Sequence, residues 1–265
     1  MKKIYNYLHM LVQKILDDEM LLRASSVSFY ILLAFFPFVI IVFLLSTFIS
    51  PTISNWLLHA IEVFPDDVES IITSLVTNAE ISSALIFALV GVSVWTLSSA
   101  LVTLSNSLNV FYKVKETRSY IITRLLAILW AILFFVLIVS IMVIVVFGDL
   151  ILGMLYRHFG IEPHGLALEL AGYATLYIIV TFLIAVIYKF VPNIKIVFTS
   201  VIKGSAITTL LWVVSSYVFS IYVNNFARYH LLYGSIAGII ILVTWIYITS
   251  MVLLLGGEIN ALSQK

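Results

Sequence analysis

The sequence contains no cysteine, which excludes disulfides, thiolate nucleophiles and cysteine-based metal sites. Charge is nearly as scarce. Asp, Glu, Lys and Arg make up 10% of the 265 residues, against about 25% in an ordinary soluble domain. A net charge of +1 supplies no field that would recruit nucleic acid or acidic partners. Lys and Arg are absent from residues 51–80, and no Asp, Glu, Lys or Arg lies between Glu80 and Lys113. What remains is 63% apolar, with 14% Phe, Tyr and Trp of the kind that sits at membrane interfaces. Such a chain is a polytopic membrane protein.

The apolar runs are long enough to count. A bilayer core takes about 20 helical residues. Runs at 29–49, 85–112, 125–148, 169–189, 204–223 and 234–257 predict six spans, and the fold class is all-α, with 1–265 as one membrane domain. Pro37 sits inside the first span, where it frees the carbonyl of Leu33 and predicts a kink. Residues 1–24 place Lys2, Lys3, Lys14 and Arg23 around Ile4, Leu8, Leu11, Ile15 and Leu22, the pattern of an amphipathic helix on the membrane surface. No small-residue cleavage site follows a short apolar core there, so a cleaved signal peptide is not expected. Residues 51–80 carry Glu62, Asp66, Asp67, Glu69 and Glu80, with Asp66 and Glu69 spaced as a capping box. They predict an outer helical loop, either a plain surface helix or a lid over a cavity. Of the 14 Lys and Arg residues only Arg157 and Arg228 fall in the loops assigned to the outside. That bias puts both termini in the cytoplasm.

The second span has two faces. Leu97, Leu101, Leu104, Leu108 and Phe111 form one stripe. Ser98, Ser99, Thr103, Ser105, Asn106 and Asn109 gather on the other, with Trp95 and Tyr112 among them. Polar side chains in hydrocarbon need partners. The leucines are therefore expected to face lipid and the polar stripe to face protein or a wet cavity. That stripe reads either as helix packing through small residues or as the lining of a substrate path, Ser98, Ser99, Thr103, Asn106, Asn109 and Tyr112 being its candidates.

No carboxylate stands in the middle of a span. The nearest is Glu258, behind Gly256 and Gly257, which allow a close backbone approach or a break in the helix. Arg118, Arg124, Lys203, Glu258 and Asn260 form a candidate cluster at the inner rim. There Glu258 either pairs with Arg118, Arg124 or Lys203, or contacts a substrate or a coupling proton. The basic rim reads as topogenic charge touching anionic lipid headgroups, or as the way in for an anionic substrate. Gly204, and the small-xxx-small pair Gly234 and Gly238, are further candidates for close helix packing. The histidines His9, His59, His158, His164 and His230 are scattered, and Glu162 between His158 and His164 makes no metal-binding spacing. No enzyme, metal or cofactor is expected.

An ordered set of motifs resembles a known family. It comprises Arg23-Ala24-Ser25-Ser26 before Phe29-Tyr30 and Phe36-Pro37; Ser107 to Tyr112 followed by Glu116 and Arg118; Lys203-Gly204; Tyr233-Gly234-Ser235; Trp245-Ile246-Tyr247; and Leu255 to Ala261. Together they look like the YihY/BrkB family of bacterial inner-membrane proteins, with Gly257 where that family often has Ala. The resemblance implies a six-span bundle in the bacterial plasma membrane and suspected transport or envelope roles. It also implies an old ribonuclease label, for which this chain has no metal-ligand cluster. Asn109, Tyr112, Arg118, Tyr233, Gly234, Glu258 and Asn260 are the positions it marks as acting together. The expected function is transport or export of a small or amphiphilic solute through a cavity lined by the second span. The alternative is a non-transporting scaffold or envelope-assembly partner. Substrate, energy source and oligomeric state are not legible.

Overall fold

Charge-free runs in a medium without water must satisfy every backbone group within the segment, so they fold as helices. The computed structural model describes residues 2–49, 83–133, 166–225 and 236–264. They form α1 (Lys2–Asp17), α2 (Met20–Ile49), α3 (Ser83–Phe111), α4 (Tyr120–Leu133), α5 (Leu166–Phe190), α6 (Phe198–Asn225) and α7 (Ile236–Ser263). No strand occurs among the described residues. Helices α2, α3, α6 and α7 each carry an apolar stretch long enough to cross a membrane, and α4 and α5 contribute shorter ones. The protein is an all-α polytopic membrane protein, and each of its six apolar helices overlaps one of the six expected spans, residues 134–148 of the third lying outside the described residues. The outer loop at 51–80, His59, His158, His164, His230 and Gly234 lie outside the described residues.

Helix α7 stands at the centre. It packs against α2 on one side and α6 on the other, and it also touches α3; α2 packs in turn on α3, and α5 on α6. The amphipathic α1 lies against α2 and α7. It turns into α2 through Glu19, whose φ is 50°, and Arg23 Nε donates to the Asp18 carbonyl at 2.8 Å.

The core sits at one end of this bundle. Met20, Ala24 and Val27 of α2, Leu104, Leu108 and Phe111 of α3, Ala185 and Tyr188 of α5, Val201 of α6, and Leu254 and Ala261 of α7 are all buried in one cluster. Three glycines permit the approach. A Cβ on Gly256 would collide with Thr208 Oγ1 and the Tyr188 hydroxyl, one on Gly257 with Leu108, and one on Gly204 with the Asn260 side chain. Helix α7 runs unbroken through Gly256 and Gly257, and α2 runs through Pro37. Among the described residues, cavities lie between the helices farther from this core. One cavity of about 220 Å³ opens between α2, α3 and α4, lined by Ile31, Ala34, Phe38, Ser93, Leu97 and Ala131. Another of about 300 Å³ separates α6 from α7 beside Ser216, Phe219, Gly238 and Trp245. At the height of Gly238, therefore, these two helices are spaced rather than tightly packed.

The expected orientation of α3 is corrected here. Leu101, Leu104, Leu108 and Phe111 face the core, not lipid. Ser98, Ser105, Ser107 and Asn109 are buried as well, whereas Asn106 is exposed. Near its end α3 is covered on both sides, because α2 and α7 pack on it and the chain after α5 bonds to it.

Candidate functional site

The end of α3 is built for a sharp reversal. Lys113 takes a left-handed φ of 55°, and the chain closes with Val114 N–H donating to the Asn109 carbonyl and Lys113 N–H to the Val110 carbonyl, 2.9 Å each. This is the paired-bond Schellman ending, usually given to glycine. It turns the next residues back under the bundle. There Asn109, 3% exposed, uses both halves of its amide. Its Nδ2 donates to Glu116 Oε2 at 3.0 Å, and its Oδ1 accepts from the Asn193 backbone N–H at 2.7 Å. Arg118 Nη2 pairs with Glu116 Oε2 at 2.7 Å and also donates to Ser105 Oγ and the Val191 carbonyl. Ser105 Oγ in turn donates to the Val191 carbonyl at 2.9 Å. Hydrogen bonding to Arg118 holds the Glu116 carboxyl down at about 2, well below its ordinary value. This network ties the α3–α4 turn to the α5–α6 turn.

A second group lies deeper. Arg124, one turn into α4, reaches across to α3. Its Nη1 donates to Ser99 Oγ at 3.0 Å, its Nη2 to the Trp95 carbonyl at 3.3 Å, and its guanidinium carbon stacks 3.8 Å from the centre of the Trp95 ring. Two other hydroxyls expected to line a path bond within their own helix, Ser98 to the Trp95 carbonyl at 2.7 Å and Thr103 to the Ser99 carbonyl at 2.9 Å, while the Tyr112 hydroxyl is buried without a hydrogen-bond partner. The cavity against α3 is faced by Ser93, Val94 and Leu97 instead.

The proposed inner-rim cluster is divided by the structure. Arg118 pairs with Glu116, Arg124 with α3, and Lys203 is exposed. Glu258 is fully buried on α7. The pairing of Glu258 with Arg118, Arg124 or Lys203 gives way to this arrangement, because the α3–α4 turn supplies Arg118 with its own carboxylate. Hydrogen bonding to the Asp18 carboxylate at 2.8 Å holds the Lys14 pKa above its ordinary value. Asn260 is buried too, and its Oδ1 accepts from Gly204 N–H at 3.1 Å. Sequence reasoning missed Asn193, Tyr188 and Thr208. The Tyr188 hydroxyl donates to the Leu253 carbonyl and meets Thr208 Oγ1 at 3.0 Å, joining α5, α6 and α7. Asn193 carried a weak signal as the residue after Pro192, whereas Tyr188 and Thr208 carried none.

A family model described as Virulence factor BrkB matches residues 11–265. The chain belongs to the BrkB family. A Bacillus subtilis (strain 168) relative described as the ribonuclease-like protein YfkH is 32% identical over 250 residues, covering 92% of this chain and 90% of its own. UPF0761 membrane proteins match a shorter part. The one from Photobacterium profundum is 37% identical over 75 residues, 28% of this chain and 24% of that protein. The one from Tolumonas auensis is 38% identical over 78 residues, 29% and 26% respectively. No solved structure matches. Among the described residues of this BrkB-family chain, no three His, Asp or Glu side chains gather as metal ligands.

Proposed function

We propose that this protein transports a small amphiphilic solute across the bacterial plasma membrane, with both termini in the cytoplasm. One observation carries the reading: the bundle is sealed by packing and hydrogen bonds at one end and holds apolar cavities between its helices towards the other. The cavity of about 220 Å³ between α2, α3 and α4 has the size and lining for part of an alkyl chain. A bundle closed at one end and open towards the other is one state of an alternating-access cycle. The sealed end is the cytoplasmic one, since Lys14, Lys113, Lys115, Arg118, Lys195 and Lys203 lie in or beside it. There the basic residues also meet anionic headgroups of the inner leaflet. The chemistry is movement rather than catalysis.

The test is a proteoliposome assay with fluorescently labelled alkyl chains bearing anionic or zwitterionic headgroups. The fraction reachable by a quencher outside the vesicle is followed in time. Exchange faster than in protein-free vesicles is the expected result. No acceleration for any headgroup would sink the reading. One feature favours the scaffold alternative: Ser98 and Thr103 are satisfied within their own helix and line none of the cavities described above.

A further inference from the structure

Arg124 lies too deep to be a rim residue. The level at which the chain leaves the bundle is marked by Ser105, because it bonds both Arg118 and the Val191 carbonyl just past the end of α5. From Ser105 to Trp95 helix α3 rises about 15 Å at 1.5 Å per residue. That is about half of a 30 Å hydrocarbon core. The guanidinium of Arg124 rests between Ser99, about 9 Å along that rise, and Trp95. A cation there is costly and marks function by default. Of the other cations near the turns, Arg118 has Glu116 and Lys14 has Asp18, while Arg23 bonds the Asp18 carbonyl and Lys189, at the end of α5, lies over Phe190 and Phe198. Among the described residues no carboxylate pairs with Arg124. Its end-on edge grips α3 through Nη1 and Nη2. Its Nε is shielded and has no hydrogen-bond partner, so the side-on edge of the fork is unanswered. The ring beneath it is open to the outside, Trp95 being 56% exposed. Further along the same face of α4, about 10 Å from Arg124, Ala131 lines the apolar cavity between α2, α3 and α4.

We propose that Arg124, backed by Trp95 and Ser99, is an intramembrane site for the phosphate or carboxylate group of an amphiphile whose chain lies in the neighbouring apolar cavity. The guanidinium supplies a charge-assisted fork matched to a planar or tetrahedral oxyanion. Trp95 holds the fork flat from below. The cavity supplies the apolar half. This deepens the transport reading and rests on the solute being amphiphilic.

The probe is dodecyl phosphate, titrated into the full chain in dodecyl maltoside micelles, with thermal unfolding and tryptophan emission as readouts; inorganic phosphate is the parallel titrant. Dodecyl phosphate should raise the unfolding temperature and change emission at concentrations where inorganic phosphate does nothing. Arg124→Gln should raise the midpoint concentration about tenfold or more, the scale of one charge-assisted hydrogen bond. Lys203→Gln, at an exposed cation outside the site, should leave it unchanged. Arg124→Lys keeps the charge without the fork and should fall between. Should Arg124→Gln fail to fold, Trp95→Leu with Ser99→Ala carries the same expectation. An unchanged midpoint in the Arg124 variants overturns the site, as does an equal response to inorganic phosphate. Because the titration needs no transport, that result leaves the transport reading standing. Tight Arg124-dependent binding without vesicle exchange would instead sink transport and keep the site.

Discussion

The two ends of this bundle are made differently. At the sealed end helices meet through Gly204, Gly256, Gly257, Ala24, Ala185 and Ala261, and hydrogen bonds cross from one helix or turn to another. Towards the other end the contacts are aromatic, such as Phe219 stacked 5.3 Å from Trp245, with cavities between. Lipid chains are as apolar as leucine, so helices gain little by hiding apolar side chains from them. Close packing needs small residues and polar bonds, and where these are missing the helices part. Rigidity at one end and looseness at the other thus follow from where the sequence places its small and amide side chains.

The sharpest way to break this contrast is to put a side chain where only glycine fits. Gly256→Val would drive a branched side chain into Thr208 and Tyr188. Thermal unfolding in micelles should show a loss of about 1–3 kcal/mol or more. Gly91, with nothing within 4 Å of a would-be Cβ, is the counterpart on the loose half. There Gly91→Ala should be neutral or stabilise by about 0.5–1 kcal/mol. Equal losses at the two sites would mean that the ends do not differ.

Next come the amides. Asn109→Ala removes its bond from the Asn193 N–H and leaves Glu116 with one partner fewer. A loss of about 1–3 kcal/mol is expected, the cost of unpaired buried groups. Asn106, three residues earlier and exposed, should change stability by less than about 0.5 kcal/mol when replaced by alanine. Ser98→Ala deletes a hydroxyl that bonds only its own helix, so about 0.6 kcal/mol or less is expected. A large effect at Ser98 would restore it as a working residue of a path. Single cysteines sharpen the contrast by another readout, since the chain has none of its own. Gly238→Cys, beside the α6–α7 cavity, should react with a thiol reagent far faster than Leu108→Cys, which is fully buried.

Much of this was legible beforehand and some was not, for physical reasons. Six charge-free runs gave six apolar helices because length and hydropathy are what a bilayer selects. The orientation of α3 was misread because an amphipathic pattern reports burial only where water covers the polar side. In lipid the Leu101–Leu104–Leu108 stripe can face protein as readily as tails, and α2 and α7 take it. The clustering of Arg118, Arg124, Lys203 and Glu258 follows, on sequence alone, from their shared place at the inner ends of the spans. Sequence does not disclose that Glu116, two residues from Arg118, already satisfies it, or that Arg124 leans along α3 to Trp95. Gly256 and Gly257 pointed to a close approach, but the partners Tyr188 and Thr208 lie on other helices with no local signal.

The smallest expected effect concerns acid. Glu116 has a folded-state pKa of about 2 against an ordinary 4.5. A depressed carboxyl pKa means that the folded protein holds the charged form, so the stabilisation is present above 4.5. It is lost as pH falls from 4.5 towards 2. The carboxylate is partly exposed, so solvent screening keeps the contribution small. Over that window the chain should lose stability at the sealed end, read as faster labelling of Leu108→Cys relative to a free thiol at the same pH. Glu116→Gln should remove most of the pH dependence while lowering stability at neutral pH. The cavity-side position Gly238→Cys should keep a constant rate relative to a free thiol at the same pH. A parallel acceleration at Gly238 would show that acid loosens the whole bundle, and that the Glu116–Arg118 bond is not what holds the sealed end shut.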